Sequence, residues 1–142
     1  MSSLQHFVDA QDAAYQQVTE ELTAGEKRSH WMWFIFPQLI GLGRSAMAKR
    51  YAIADRSQAA AYLAHPVLGP RLRECVRLIN KHRDRTAAQI FGYPDVLKLH
   101  SSLTLFHAVD PSEALFSQAL DRFYGGSPDE ATRNLLHEPK NP

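Results

Sequence analysis

His30 stands at the head of an unbroken apolar run, Trp31 to Phe36, and Gln38 follows just past Pro37. A histidine beside two tryptophans is a candidate general acid or base, because a modest change of surroundings carries its charge across neutral pH. A histidine at a helix start, bonded to backbone or to a carboxylate, is the blander alternative and the favoured of the two. Gly41-Leu42-Gly43 then delivers Arg44 and Ser45 to a predicted helix start. Glycines permit close backbone approach, Arg44 offers a forked cation, and a helix start presents free N–H groups, a combination that suits a phosphate or carboxylate. The stretch lacks both the lysine of a Walker loop and the preceding strand of a dinucleotide fingerprint. A glycine turn with a surface arginine accounts for it equally well.

A third constellation is Asp95, Lys98, Ser101, Ser102 and Thr104. On a helix, Lys98 lies one turn from both Asp95 and Ser102, while Ser101 and Thr104 share another side. A Ser–Lys nucleophile pair is conceivable, but hydroxyls on a buried helix more often bond back to helix carbonyls. The seven histidines form neither an H-x-x-x-H nor an HExxH pattern. His100 and His107 lie two turns apart, too far for a shared clamp. No metal is expected, and no cofactor motif is present.

The elements that must position these groups read as helices. Val8, Tyr15, Val18 and Leu22 follow one helical face over 4–24, with a break expected near Asp9 and a stop at Gly25. The apolar run from 29 to 37 fits a buried strand or a short buried helix. Helix is favoured, closing at or before Pro37, because a lone strand would leave its backbone unpaired. Ser45 is a candidate N-cap for a short helix to Tyr51 or Ile53. Asp55 and Gln58 resemble a capping box for a helix over 57–64. His65-Pro66 and Gly69-Pro70 bracket a turn, and Leu68, Leu72, Cys75, Val76 and Ile79 then follow a helical stripe, giving a helix to about Lys81. Thr86 to Phe91 is at best a short helix ended by Gly92, and Pro94-Asp95 opens another through Phe106. Asp110-Pro111-Ser112-Glu113 and Ser127-Pro128-Asp129-Glu130 share one expected device: a cap, proline at the first helical position and glutamate at the third. The expectation is one all-α domain over residues 1–142, ordered over about 4–137, with seven or eight short helices, no substantial sheet and a frayed tail at 138–142.

Composition bounds the function. With 142 residues and a net charge of +1, the chain suits one domain whose main partner is neither bulk nucleic acid nor an anionic membrane. A single cysteine, Cys75, excludes an internal disulfide. No secretion signal is evident, and the apolar runs fall far short of the ~20 residues that span a bilayer. A cytoplasmic protein is expected; the oligomeric state is left open.

The strings SHWMWFIFPQLIGLGRSAMAKRYAI, AAAYLAHPVLGPRL and KLHSSLTLF resemble the bacterial proteins grouped as domain of unknown function 1810, over about Phe7 to Phe123. The resemblance implies a mainly α-helical domain and brings no reaction, cofactor or catalytic residue. The calpastatin label sometimes given to such proteins finds no support, since an inhibitor of that sort would be long, repetitive and disordered.

Packing alone does not call for Trp31, Trp33, Gln38, Arg44, Tyr51, Asp95, Lys98 and Ser102 in such motifs, because a core can be built without Arg, Lys or Gln. The expectation is a cleft between the Trp-rich segment and the Asp95 helix, floored by Arg44 and Lys98 and taking an anionic or nucleotide-like small molecule. Ser45 joins it through the helix start, and any chemistry is acid–base through His30. Two alternatives stand beside it. One is a protein-interaction module docking through the 31–36 aromatics. The other, weaker, is nucleic-acid binding through the basic stretch Arg71–Arg85.

Overall fold

The computed structural model describes residues 4–137. Among them are nine helices: α1 (Gln5–Ala24), α2 (Met32–Ile35), α3 (Ala46–Arg50), α4 (Arg56–Ala64), α5 (Leu68–Asn80), α6 (Ala87–Phe91), α7 (Asp95–Val109), α8 (Ala114–Tyr124) and α9 (Glu130–His137). The fold is all-α, as expected. Its one β feature among these residues is an isolated parallel bridge, Leu39 to Ile53. The expected frayed tail lies outside the described residues.

α1 runs unbroken through Asp9, where a break was expected. Gln5 Nε2 donates to Asp9 Oδ1 at 2.9 Å, a one-turn side-chain bond that supports the helix. Gly25 ends it in the left-handed region, φ 76°, where a residue without Cβ is unstrained. The ambiguous run resolves into a single turn, α2, with Trp31, Met32, Phe34, Ile35 and Phe36 all buried. Past Pro37 the chain is extended, and Ile53 N and Ile40 N donate to Gln38 O and Ile53 O, each at 2.8 Å.

Three helix starts differ from expectation. Gly69 and Pro70 do not bracket a turn but sit in the first turn of α5. Proline is tolerated there because the first N–H groups of a helix have no intrahelical acceptor. His65 Nδ1 accepts from Val67 N and Leu68 N at 3.1 and 3.2 Å, so a ring nitrogen performs the capping. α8 and α9 begin three and two residues later than the shared cap–proline device requires, at Ala114 and Glu130. For α9 the cause is tertiary. Asp129 N donates to Thr104 Oγ1 at 2.9 Å, and Asp129 Oδ2 accepts from Ser101 Oγ at 3.1 Å and from Thr132 N and Oγ1 at 3.1 and 2.6 Å. The α7 hydroxyls thereby select Asp129 over Ser127 as the cap. Asp129→Ala is expected to cost ~1–2 kcal/mol, the usual loss for a helix cap. Hydrogen exchange should show α9 losing protection first; uniform loss across all helices would contradict this docking role.

α7 is the central helix. It packs against α4, α6, α8 and α9, while α5 packs against α1, α4 and α8. Edge and tilted ring contacts run Phe7–Tyr62–Phe106–Phe116 at centroid spacings of 5.2, 5.4 and 6.0 Å. Inside this core, Gln11 Nε2 donates to Phe34 O at 2.7 Å and Tyr62 Oη at 2.9 Å, tying α1 to α2 and α4. Cys75 is buried in the core as expected, and burial pushes its thiol up to about 12.

Three of the six basic residues in the Arg71–Arg85 stretch are paired in cis. Arg71 meets Asp12 at 2.8 Å, Arg73 meets Glu113 at 2.9 Å and Arg77 meets Glu74 at 3.3 Å. Among the described residues, no helix is long and apolar enough to cross a membrane.

Candidate functional site

The site is assembled where the loop after α1 meets the start of α7. Lys27 N donates to Ile90 O at 2.7 Å, which sets the loop beside α6. Lys27 Nζ then donates to Ser29 O at 2.6 Å, reaches Asp95 Oδ2 at 2.8 Å and lies 5.1 Å from the Trp31 ring centroid. Its side chain is only 8% exposed. So buried an ammonium is tolerated only when paired, and here it holds both a carboxylate and a carbonyl. Asp95, the first residue of α7, also faces Lys98 at 3.6 Å, and Lys98 Nζ lies 5.1 Å from the Trp33 ring centroid.

Around these groups opens a cleft of about 380 Å³, lined among others by Lys27, His30, Trp33, Tyr93, Asp95 and Lys98. Tyr93 is 80% exposed. His30 is exposed at the cleft and makes no hydrogen bond among the described residues, so neither backbone nor carboxylate holds it. Trp33 is half-buried, and its Nε1 is buried with no acceptor among the described residues. A second concavity of about 330 Å³ adjoins the first. Both are lined by Pro94 and Lys98, and the second also by Gln38, Gly43, Leu97 and Asp129.

The residues singled out in the sequence therefore separate. His30, Trp33, Asp95 and Lys98 meet in one cleft, and Gln38 lies in the adjoining concavity. Trp31 is interior, 1% exposed, with Nε1 donating to Glu21 Oε1 at 2.9 Å. Tyr51 is a core residue, its ring 5.7 and 5.4 Å from those of Phe7 and Phe34. Ser45 caps α3, accepting from Ala48 N at 3.0 Å. Arg44 is exposed and lines neither concavity, so the floor is formed by lysines. Gly43 is required by packing, since a Cβ there would come within 2.4 Å of Ala48 Cβ. Ser101 and Thr104 bond to carbonyls of their own helix and to Asp129, whereas Ser102 Oγ is buried with no partner among the described residues. No group of three or more His, Cys, Asp or Glu placed to hold a metal occurs among the described residues.

Of the 31–36 run, only Trp33 is more than marginally exposed.

Two elements of the site escaped sequence reasoning. Lys27 and Tyr93 carry no local motif. Glu21, 7% exposed, accepts from Arg28 N at 2.8 Å, Ser29 N at 3.1 Å, Trp31 Nε1 and Ser29 Oγ. Burial alone would raise its pKa; the hydrogen bonds from Ser29, Arg28 and Trp31 outweigh that and hold it down at about 2. The available signal was its position one turn past Val18 on the buried face of α1.

The chain is a helical protein built around this loop-to-helix junction. It belongs to the family described as "Protein of unknown function (DUF1810)", whose model matches residues 1–136. It is also similar to a conserved hypothetical protein, Rv1873 from Mycobacterium tuberculosis, known from a crystal structure. The two share 50% identity and superpose with a TM-score of 0.94, covering 96% of this chain and 97% of that one. Comparison with curated proteins gives no match.

Proposed function

We propose that the cleft binds an anionic small molecule bearing an aromatic group, of the nucleotide kind. The observation that carries this reading is the convergence of Trp33, Tyr93, Lys27 and Lys98 on one concavity from two separate segments, 27–33 and 93–98. Aromatic walls take a planar ring by stacking, and the Lys98 ammonium takes its phosphate. The charge balance favours an anion. Lys27, Arg28 and Lys98 face two carboxylates, Asp95 and Glu26, the latter paired to Arg28 at 3.2 Å. Lys98 stands 3.6 Å from Asp95, beyond ordinary hydrogen-bond reach, so its donors remain available to an incoming oxygen. His30, exposed and unbonded, is the group for any proton transfer to a bound ligand.

Thermal shift against nucleotides and sugar phosphates tests the proposal. A ligand at a hundred times its Kd adds ~2.7 kcal/mol of stability. Lys98→Ala should abolish the response, and Arg44→Ala should keep it. Stabilisation that is equal in wild type and Lys98→Ala, or absent across the whole set, overturns the reading.

A further inference from the structure

The Trp33 cleft does not end at Lys98. Pro94 and Lys98 line it and also line the second concavity, so one lysine stands at the junction of two lobes. The lobes differ in chemistry. The first has the ring faces of Trp33 and Tyr93. The second carries Gln38 and Asp129 on a lining that also includes Leu42, Leu97 and Ala131. The Gln38 amide makes no hydrogen bond among the described residues, although it is half-buried. Asp129 commits Oδ2 to Ser101 and Thr132, while Oδ1 takes no hydrogen bond among the described residues. A free amide and a free carboxylate oxygen lining one concavity suit sugar hydroxyls, which donate to the carboxylate and both donate to and accept from the amide. A phosphate is unsuited to that lobe, because Asp129 would repel it. It belongs at Lys98, between the lobes. Each concavity alone is at the small end of the range for ligand sites, roughly 300–1,000 Å³.

We propose that the two concavities form one bilobed site for a nucleoside diphosphate sugar, with the base against Trp33 and Tyr93, the diphosphate at Lys98 and the sugar hydroxyls at Gln38 and Asp129. This rests on the reading of the Trp33 cleft given above and extends it to a ligand class. The order along the ligand, aromatic then anionic then hydroxylated, matches the order of side chains along the groove.

Calorimetric titration of the intact protein with AMP, ADP and ADP-glucose, and with UMP, UDP and UDP-glucose, separates the two claims. Within at least one series, the diphosphate sugar should bind at least tenfold more tightly than the diphosphate. Gln38→Ala should erase that increment, and Lys98→Ala should weaken every member that carries phosphate. Nucleotides that bind with no gain from the sugar, or a gain that survives Gln38→Ala, overturn the bilobed site while the cleft reading stands. If no member of either series binds, both fall. Circular dichroism and thermal melting of the variants show whether each is folded, and Gln38→Asn, which shortens the amide by one carbon, should lose the increment without loss of fold.

Discussion

Glu21→Ala is expected to destabilise the protein by ~3 kcal/mol, one of the two largest effects anticipated for a single substitution. The carboxylate gathers four donors from the segment that leads into α2: the N–H groups of Arg28 and Ser29, the Ser29 hydroxyl and the Trp31 indole N–H. Truncation orphans all of them. A buried polar group left unpaired costs roughly 1–3 kcal/mol. Water entering from the concavity beside Glu21, lined also by Gln17, Glu20 and Arg28, offsets part of the loss. Urea melts measure the change, and a midpoint within error of wild type would remove Glu21 from this account. The variant also tests how the cleft is held. Lys27 and His30 lie on the loop that Glu21 ties down, so ligand affinity should fall with stability.

The same carboxylate gives a pH signature. Its folded-state pKa, about 2, lies below the ordinary glutamate value of 4.5. Between those values the unfolded chain binds more protons, so stability rises with pH in that window. The contribution is fully present above pH ~5 and is lost as pH falls through 4.5 toward 2. Glu21→Gln retains an acceptor but cannot titrate. The difference in stability between wild type and Glu21→Gln should therefore be largest near neutrality and shrink below pH 4. A difference that stays constant from pH 7 to pH 3 would rule out the depressed carboxylate.

Helix faces were readable because burial is decided residue by residue: Val18 and Leu22, or Leu72, Cys75, Val76 and Ile79, leave water whatever the rest of the chain does. Helix starts were less so. Ser127 and Asp129 offer the same capping chemistry, and the choice between them is made by Ser101 and Thr104 on a helix more than twenty residues earlier. Gly41-x-Gly43-Arg44 carried the composition of an anion loop, yet the second glycine answers to Ala48 and the arginine lines neither concavity of the site. At the site, His30, Trp33, Asp95 and Lys98 stood out by residue type. Lys27 and Tyr93 did not, because nothing local to either segment states that the loop after α1 bonds to Ile90 and so lies against the start of α7. Side-chain chemistry was legible where it was unusual for its surroundings; adjacency between distant loops was not.

Gly69→Ala should reverse the usual sign of a substitution in a helix. Alanine is favoured over glycine within helices by up to ~1 kcal/mol, and Gly69 lies in α5 with no unusual backbone angle. Propensity alone thus predicts stabilisation. Packing predicts the opposite. A Cβ at Gly69 would come within 2.1 Å of Leu63 O and 3.0 Å of Leu63 C. These are backbone atoms at the end of α4, so no rotamer change relieves the overlap. Leu63 O also accepts from Arg73 Nη1 at 3.3 Å, and Gly69 N donates to His65 O at 3.1 Å. Pushing α4 and α5 apart strains both bonds and the His65 cap on the start of α5. Overpacking a tight contact costs roughly 1–3 kcal/mol; with an unyielding backbone as the obstacle the cost is at the top of that range, and the expected net loss is ~2 kcal/mol after the helical gain is allowed for. Urea denaturation of Gly69→Ala decides between the two effects. A raised midpoint would mean that α5 can shift along α4 without penalty. A lowered midpoint makes close approach at Gly69 the reason that this helix can begin so soon after the last one ends.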